Sequence, residues 1–272
     1  MGIAFSPNLK ENIFESIRLS NMFNAQLVCV HVGEKTKKKE AKINKILKEA
    51  PEPTNPIKLV FQSGKPVEVL LESCTKENVD LLILGALQKE NIYKYYVGSI
   101  ARKLTRQANC SVLLLIKHSI TRVACKHIVV NGLKDPKTAE TIDTSFYVSQ
   151  GLGCKKITIV EEITQAEIHV KVNDDISLRR ANIAKERLKT REEIRVKDIL
   201  KNIKPEAQEG IDIKTQSIFG KRGYSIGHYA RVVRADLLIM NAPDKTRLID
   251  RIFPHDIEYI LSELPTDVLI VK

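Results

Sequence analysis

The sequence predicts an α/β fold built twice, as two tandem open five-stranded parallel sheets with helices on both faces. Short apolar runs bounded by turn residues alternate with segments whose apolar residues recur at helical spacing, the pattern of strands joined by crossover helices. The later part of the chain repeats the earlier part at a constant offset, the mark of a duplicated unit. The chain has 272 residues, 43% hydrophobic and 28% charged, which leaves room for two domains with cores of their own.

In the first unit, Ile3 to Phe5 form a short strand, and Pro7-Asn8 open a helix that turns Ile13, Phe14 and Ile17 inward. Gln26 to Val32 is the second strand. Ile43, Ile46 and Leu47 mark a lysine-rich helix that ends at Pro51, Pro53 and Pro56. Ile57 to Phe61 is the third strand, and Gly64-Lys65-Pro66 lead into a helix carrying Val67, Leu70, Leu71 and Cys74. Val79 to Leu84 is a fourth, buried strand ending on Gly85. After a polar loop, Gly98-Ser99 begin a helix with the stripe Val97, Ile100, Ala101 and Leu104, and Val112 to Ile116 close the unit.

The second unit opens with the strand His127 to Gly132. Gly64 and Gly220, Asp80 and Asp236, Gly85 and Asn241, and Val112 and Val268 are each 156 residues apart, so the later strands and helices align without a gap. The domains are therefore expected at 1–118 and 119–272. The second carries an insert at about 162–208, between strands at Ile157–Val160 and Ile211–Gln216. Within the insert, Glu167 to Val172 alternate like an added strand, and Ile183 to Ile203 read as a charged helix.

The net charge of +11 sits in runs such as Lys37-Lys38-Lys39, without the interleaved aromatic platforms of single-strand binders, so no nucleic-acid partner is expected. No apolar run reaches the roughly 18 residues of a membrane span, and a cytoplasmic location follows as the expectation. Five cysteines with no CxxC pair read as buried thiols of a reducing compartment. The six histidines show neither i, i+4 pairing nor a cysteine at zinc-like spacing, so no metal site is expected apart from Mg carried by a bound nucleotide. No G-x-S-x-G elbow occurs, and Gly220-Lys221-Arg222-Gly223-Tyr224-Ser225 lacks P-loop spacing. Catalytic residues are expected to be absent, with at most weak ATP hydrolysis should Asp80 or a loop carboxylate position water.

Gly85 followed after a fixed interval by Gly98-Ser99 suits a phosphate-binding turn and helix start. Together with the His31-Val32 strand end, Gly64-Lys65-Pro66 and Val79-Asp80, this frame resembles the universal stress protein family, in two tandem copies over nearly the whole chain. The resemblance implies open Rossmann-like sheets of the adenine nucleotide alpha hydrolase type, packed as an intramolecular pseudo-dimer through the final strands, Val112–Ile116 and Val268–Val271. A further homodimer is compatible with it.

Nucleotide-binding members show G-x2-G-x9-G-[S/T]. Here Gly85, Gly98 and Ser99 match, while Gln88 stands in place of the middle glycine and Ser6 in place of a frequent first-strand aspartate. The resemblance implies ATP or AMP in the first unit, with adenine against Val32 and the loop at Ser6, ribose near Gly85, and phosphates on the amides of Gly98, Ser99 and Ile100. In the second unit Asn241, Asp244, Pro254 and His255 replace the frame. Proline lacks an amide donor and Asp244 repels phosphate, so that unit is expected to be structural or regulatory. The expected function is a non-catalytic stress-response or signalling module with an unidentified protein partner. The alternative is a nucleotide-free regulatory or scaffold module, such as the cytoplasmic part of a transporter, an idea prompted by the start of the chain close to its first strand.

Overall fold

The computed structural model describes residues 1–88, 95–116, 119–242 and 256–272. These form two compact units, the first comprising Met1–Ala124 with Leu261–Lys272, the second Cys125–Asn241 with residues 256–260.

The first unit runs β1 (Gly2–Ile3), α1 (Leu9–Met22), β2 (Val28–Val32), α2 (Lys37–Glu49), β3 (Lys58–Gln62), α3 (Pro66–Lys76), β4 (Leu81–Gly85), β5 (Leu87–Gln88), β6 (Tyr95–Tyr96), α4 (Ser99–Gln107) and β7 (Ser111–Leu115). β1, β2 and β3 pair in parallel, with Ile3 opposite His31 and His31 opposite Phe61. β4 pairs in parallel with β7, Gly85 lying opposite Leu115. β1 lies beside β4 through side chains, since a Cβ on Gly2 would stand 3.1 Å from Leu84 Cδ2. The local signals act as expected: Thr36 accepts the Lys39 amide at the start of α2, and Pro66 occupies the first turn of α3. Ile13, Phe14 and Ile17 from α1, Ile43 from α2 and Leu104 from α4 fill the core around Cys29, Leu82 and Val112.

The second unit runs β8 (Ile128–Asn131), α5 (Thr138–Leu152), β9 (Lys156–Ile163), α6 (Asp175–Lys201), α7 (Pro205–Gln208), β10 (Asp212–Phe219), α8 (Tyr224–Val232) and β11 (Leu237–Asn241), followed by α9 (Asp256–Ser262), whose last turn enters the first unit. Its strand order is β10-β9-β8-β11, every pair parallel. Gly153 stops α5 in the left-handed region at φ 68, which costs glycine no Cβ clash.

The insert departs from expectation in two places. Glu167–Val172 is not a strand: Gln165–Ile168 form a single 3-10 turn, because Thr164 and Glu167 close a capping box that curls the chain. The charged helix starts earlier than Ile183, at Asp175, where the Asp174 carboxylate accepts the Ser177 amide at 2.7 Å.

The chain ends in β12 (Asp267–Val271), which belongs to the first unit and pairs antiparallel with β7: Val268 faces Leu114, Leu269 faces Leu113 and Ile270 faces Val112. The Asp267 carboxylate accepts the Ile116 amide at 2.7 Å and fixes this register. β12 thereby covers what would otherwise be a bare apolar edge of β7. Ile270→Pro removes a ladder donor in this pairing, since the amide of Lys272, two residues on and on the same side of the strand, donates to Ser111 of β7. It should lower unfolding free energy by about 3 kcal/mol in urea titration and should produce concentration-dependent association in light scattering, as β7 is uncovered.

Candidate functional site

The expected site residues lie at the C-terminal ends of parallel strands, where open α/β sheets bind ligands. β4 ends at Gly85, and Ala86 continues the ladder by donating to the Leu115 carbonyl at 2.9 Å. A Cβ on Gly85 would fall 2.5 Å from Asn12 Nδ2 and 3.2 Å from Asn12 Cγ. Asn12 is a buried residue of α1, so the missing side chain of Gly85 is already used by a helix of this chain. Asn12 lies in an apolar helix stripe that carries no ligand motif, and nothing in its local spacing marks this role.

β5 and β6 pair as an antiparallel hairpin, Leu87 opposite Tyr96 and Gln88 opposite Tyr95, which returns the chain to the end of the sheet it left at Gly85. The Gln88 backbone sits in the outgoing arm; its side chain lies outside the described residues. Gly98 caps α4 in extended conformation, φ −64 and ψ 165. The helical ladder begins with the Arg102 amide donating to the Gly98 carbonyl at 3.0 Å. The amides of Ser99, Ile100 and Ala101 precede that bond, and such first-turn donors form an anion site worth about 0.3–1 kcal/mol. Ser99 and Ile100 are exposed, and no acidic residue stands in this turn. Arg102 fastens the helix start: its Nε donates to the Val97 carbonyl at 2.9 Å and its Nη2 to the Leu261 carbonyl at 3.0 Å.

Val32 ends β2 opposite Gln62, and Ser6 shapes the turn into α1, its carbonyl accepting the Leu9 amide at 3.2 Å. Between them stands His31, buried, with Nδ1 3.2 Å from the Ile3 carbonyl. That contact makes Nδ1 the donor and leaves Nε2 an acceptor, which has no hydrogen-bond partner among the described residues. Phe5 and Phe61 meet the His31 ring edge-on, at 4.9 and 5.7 Å between centroids. Lys42 Nζ stands 5.5 Å from the Phe5 ring and Lys35 Nζ 6.0 Å from that of Phe61. The structure thus sets aromatic faces and ammonium groups around Ser6 and Val32, and the anion-ready helix start beyond Gly85.

The matching end of the second sheet is occupied by the chain itself. A Cβ on Gly132, after β8, would lie 2.8 Å from Ile159 Cγ2 and 3.2 Å from Glu161 Cγ. Glu161 is buried; Ser217 donates to its Oε2 at 3.0 Å and Arg195 Nη2 lies 3.9 Å from its Oε1. Arg195, delivered by α6, also donates to the Glu192 carboxylate at 2.7 Å and to the Gly132 carbonyl. Burial pushes the Glu161 carboxyl up to about 7, against the opposing pull of Ser217 and Arg195. Glu162 fills the start of α8, accepting the Gly223 amide at 2.9 Å and the Ile226 amide at 2.8 Å. The Gly220-Lys221-Arg222-Gly223 turn therefore presents its anion site to an internal carboxylate. These two glutamates extend β9 past the expected end of its strand at Val160, because Glu161 to Ile163 pair in register with Ser217 to Phe219 of β10.

At the end of β11, Asn241 Nδ2 donates to Asp135 at 3.3 Å and to Thr138 at 3.1 Å. Asp244, Pro254 and His255 lie outside the described residues. Among the described residues no group of three His, Cys, Asp or Glu could hold a metal ion, and no helix is long and apolar enough to cross a membrane. The cysteines are all free thiols, Cys29, Cys110 and Cys154 buried and Cys74 and Cys125 half-buried.

Residues 30–115 match the Universal stress protein family. The whole chain is similar in fold to a protein of unknown function from Pseudomonas aeruginosa PAO1, at 13% identity and TM-score 0.66, covering 100% of this chain and 90% of that one. It is likewise similar to a universal stress protein from Archaeoglobus fulgidus DSM 4304, at 14% identity and TM-score 0.62, covering 100% of this chain and 94% of that one. No curated protein matches the chain in sequence. The stretch 30–115 thus matches the family model, and the whole chain shares the α/β fold of the solved universal stress protein from Archaeoglobus fulgidus.

Two outcomes follow from this geometry. Gly85→Ala forces a methyl group onto Asn12 and should destabilise the protein by about 1–3 kcal/mol in chemical denaturation with no ligand added. Glu161 has a folded pKa above its ordinary value of 4.5, so its contribution to stability is fully present below about pH 4.5 and is lost as pH rises through 7. Glutamine mimics the protonated form. Glu161→Gln should therefore gain stability relative to the parent between pH 5 and pH 8, by about 2–3 kcal/mol in paired melts.

Proposed function

We propose that the chain is a non-catalytic stress-response or signalling module of the cytoplasm whose first domain, 1–118, binds ATP or AMP, and whose second, 119–272, is structural or regulatory. The observation that carries the reading is the start of α4, where Gly98 leaves first-turn amides open beside the end of a parallel strand. The base lies against Val32 and the Ser6 turn, among Phe5, His31 and Phe61. Phosphates meet the amides of Gly98, Ser99 and Ile100, with Mg brought by the nucleotide rather than held by the protein. Since Asn12 covers Gly85, the ribose contacts the Asn12 amide instead of the glycine α-carbon. Among the described residues of the second domain, Glu161 and Glu162 stand at the mouth of its sheet, and Arg195 closes over Glu161.

The Asn12 contact also favours a second reading, a nucleotide-free scaffold in which Gly85 serves helix packing and Gly98 only starts a helix. Calorimetric titration with ATP, AMP and inorganic tripolyphosphate separates the two. ATP and AMP should bind, tripolyphosphate should bind at least tenfold more weakly, and Gly98→Val should weaken ATP by about tenfold or more, a change of about 1.4 kcal/mol. Heat from tripolyphosphate alone, or unchanged ATP affinity in Gly98→Val, overturns the nucleotide site.

A further inference from the structure

α6 has two unlike faces. Ala181, Glu192 and Val196 point inward and are buried, whereas Ile176, Ile183 and Ile194 are 64%, 54% and 53% exposed. These isoleucines follow one another at seven and eleven residues, two and three helical turns, so they share one outward stripe. A shallow depression along this face is lined by Asn182, Ile183, Glu186, Arg187, Thr190 and Ile194. Arginine and lysine outnumber acids beside the stripe: Arg179, Arg180, Arg187 and Lys197 are exposed there, against Glu186 and Asp198.

We propose that the outer face of α6 is a docking surface for an amphipathic helix of a partner protein whose apolar seam is flanked by glutamate or aspartate. The apolar stripe is one residue wide and runs in line along the helix for five turns, from Ile176 to Ile194, which suits contact with a facing helix. A bilayer surface calls for an apolar sector of about 100° or more, and here Arg180 and Glu186 crowd the stripe from both sides. A second copy of the chain fits no better. Antiparallel pairing that sets Ile176 against Ile194 also sets Arg179 against Arg191, and parallel pairing sets Arg180 and Arg187 against themselves. Acidic flanks remove that repulsion and supply the complementary field.

The test uses the full chain and a synthetic four-heptad peptide with leucine at a and d and glutamate at e and g, followed by fluorescence anisotropy. A peptide with lysine at e and g, and phosphatidylcholine–phosphatidylglycerol vesicles, are the comparison probes. The acidic peptide should bind, more weakly as salt is raised, and the lysine peptide should not. Ile183→Gln/Ile194→Gln should lose about tenfold in affinity or more while keeping its circular dichroism, and Arg180→Glu/Arg187→Glu should shift preference toward the lysine peptide. The proposal is overturned if the acidic peptide fails to bind, or binds the glutamine variant equally well. Vesicle binding or self-association of the parent that the glutamine variant abolishes overturns it too, assigning the face to lipid or to a second copy.

Discussion

Parallel strands buried on both faces end in a row of backbone and side-chain groups that helices on either side cannot cover, and something must fill that mouth. Each unit answers the constraint differently. In the first, Asn12 closes over Gly85, while the turn before α4 leaves first-turn amides facing outward. In the second, the chain spends two buried glutamates and an arginine from the insert helix on the same task. Among the described residues, one end thus keeps open helix-start amides and the other is lined by its own charges.

The insert is therefore more than a connection. Its helix brings Arg195 down onto the Gly132 carbonyl and beside Glu161, so α6 is fastened to the second sheet by a buried ionic cluster. For Glu161 the loss of hydration outweighs the pull of Arg195 and Ser217, so the cluster fixes geometry more than it stabilises the charge. The Glu161 carboxyl is accordingly pushed up to about 7. Once α6 is held from its inner side, its outer stripe of Ile176, Ile183 and Ile194 is left to solvent.

Much of the fold was legible because short-range rules and burial agreed. Leu82 to Leu84 and Ile128 to Val130 are apolar on both faces and became buried strands, while Pro66 and Gly153 punctuate helices where their backbone preferences place them. The 156-residue offset carried the duplication without any help from function. What local pattern could not show depended on partners distant in sequence. Glu161 and Glu162 read as a strand end until Ser217 reaches one oxygen of Glu161, and Gly223 and Ile226 satisfy Glu162, from about sixty residues away. The alternation of Glu167 to Val172 suggests a strand, but the capping box at Thr164 settles the chain as a turn first. At the candidate site, the glycine frame marked Gly85 at the end of β4, and the Asn12 side chain against that glycine was invisible to it.

The central claim is that an adenine nucleotide binds at the start of α4 and nowhere in the second unit. Amide chemical-shift mapping of the isotope-labelled chain during AMP addition reports on both places at once. The account predicts saturable shifts at Ser6, Val32, Gly98, Ser99 and Ile100, with Asn131, Gly132 and Gly223 unmoved. Shifts centred on the second-unit residues, or no saturable shift at Gly98 and Ser99, would contradict it.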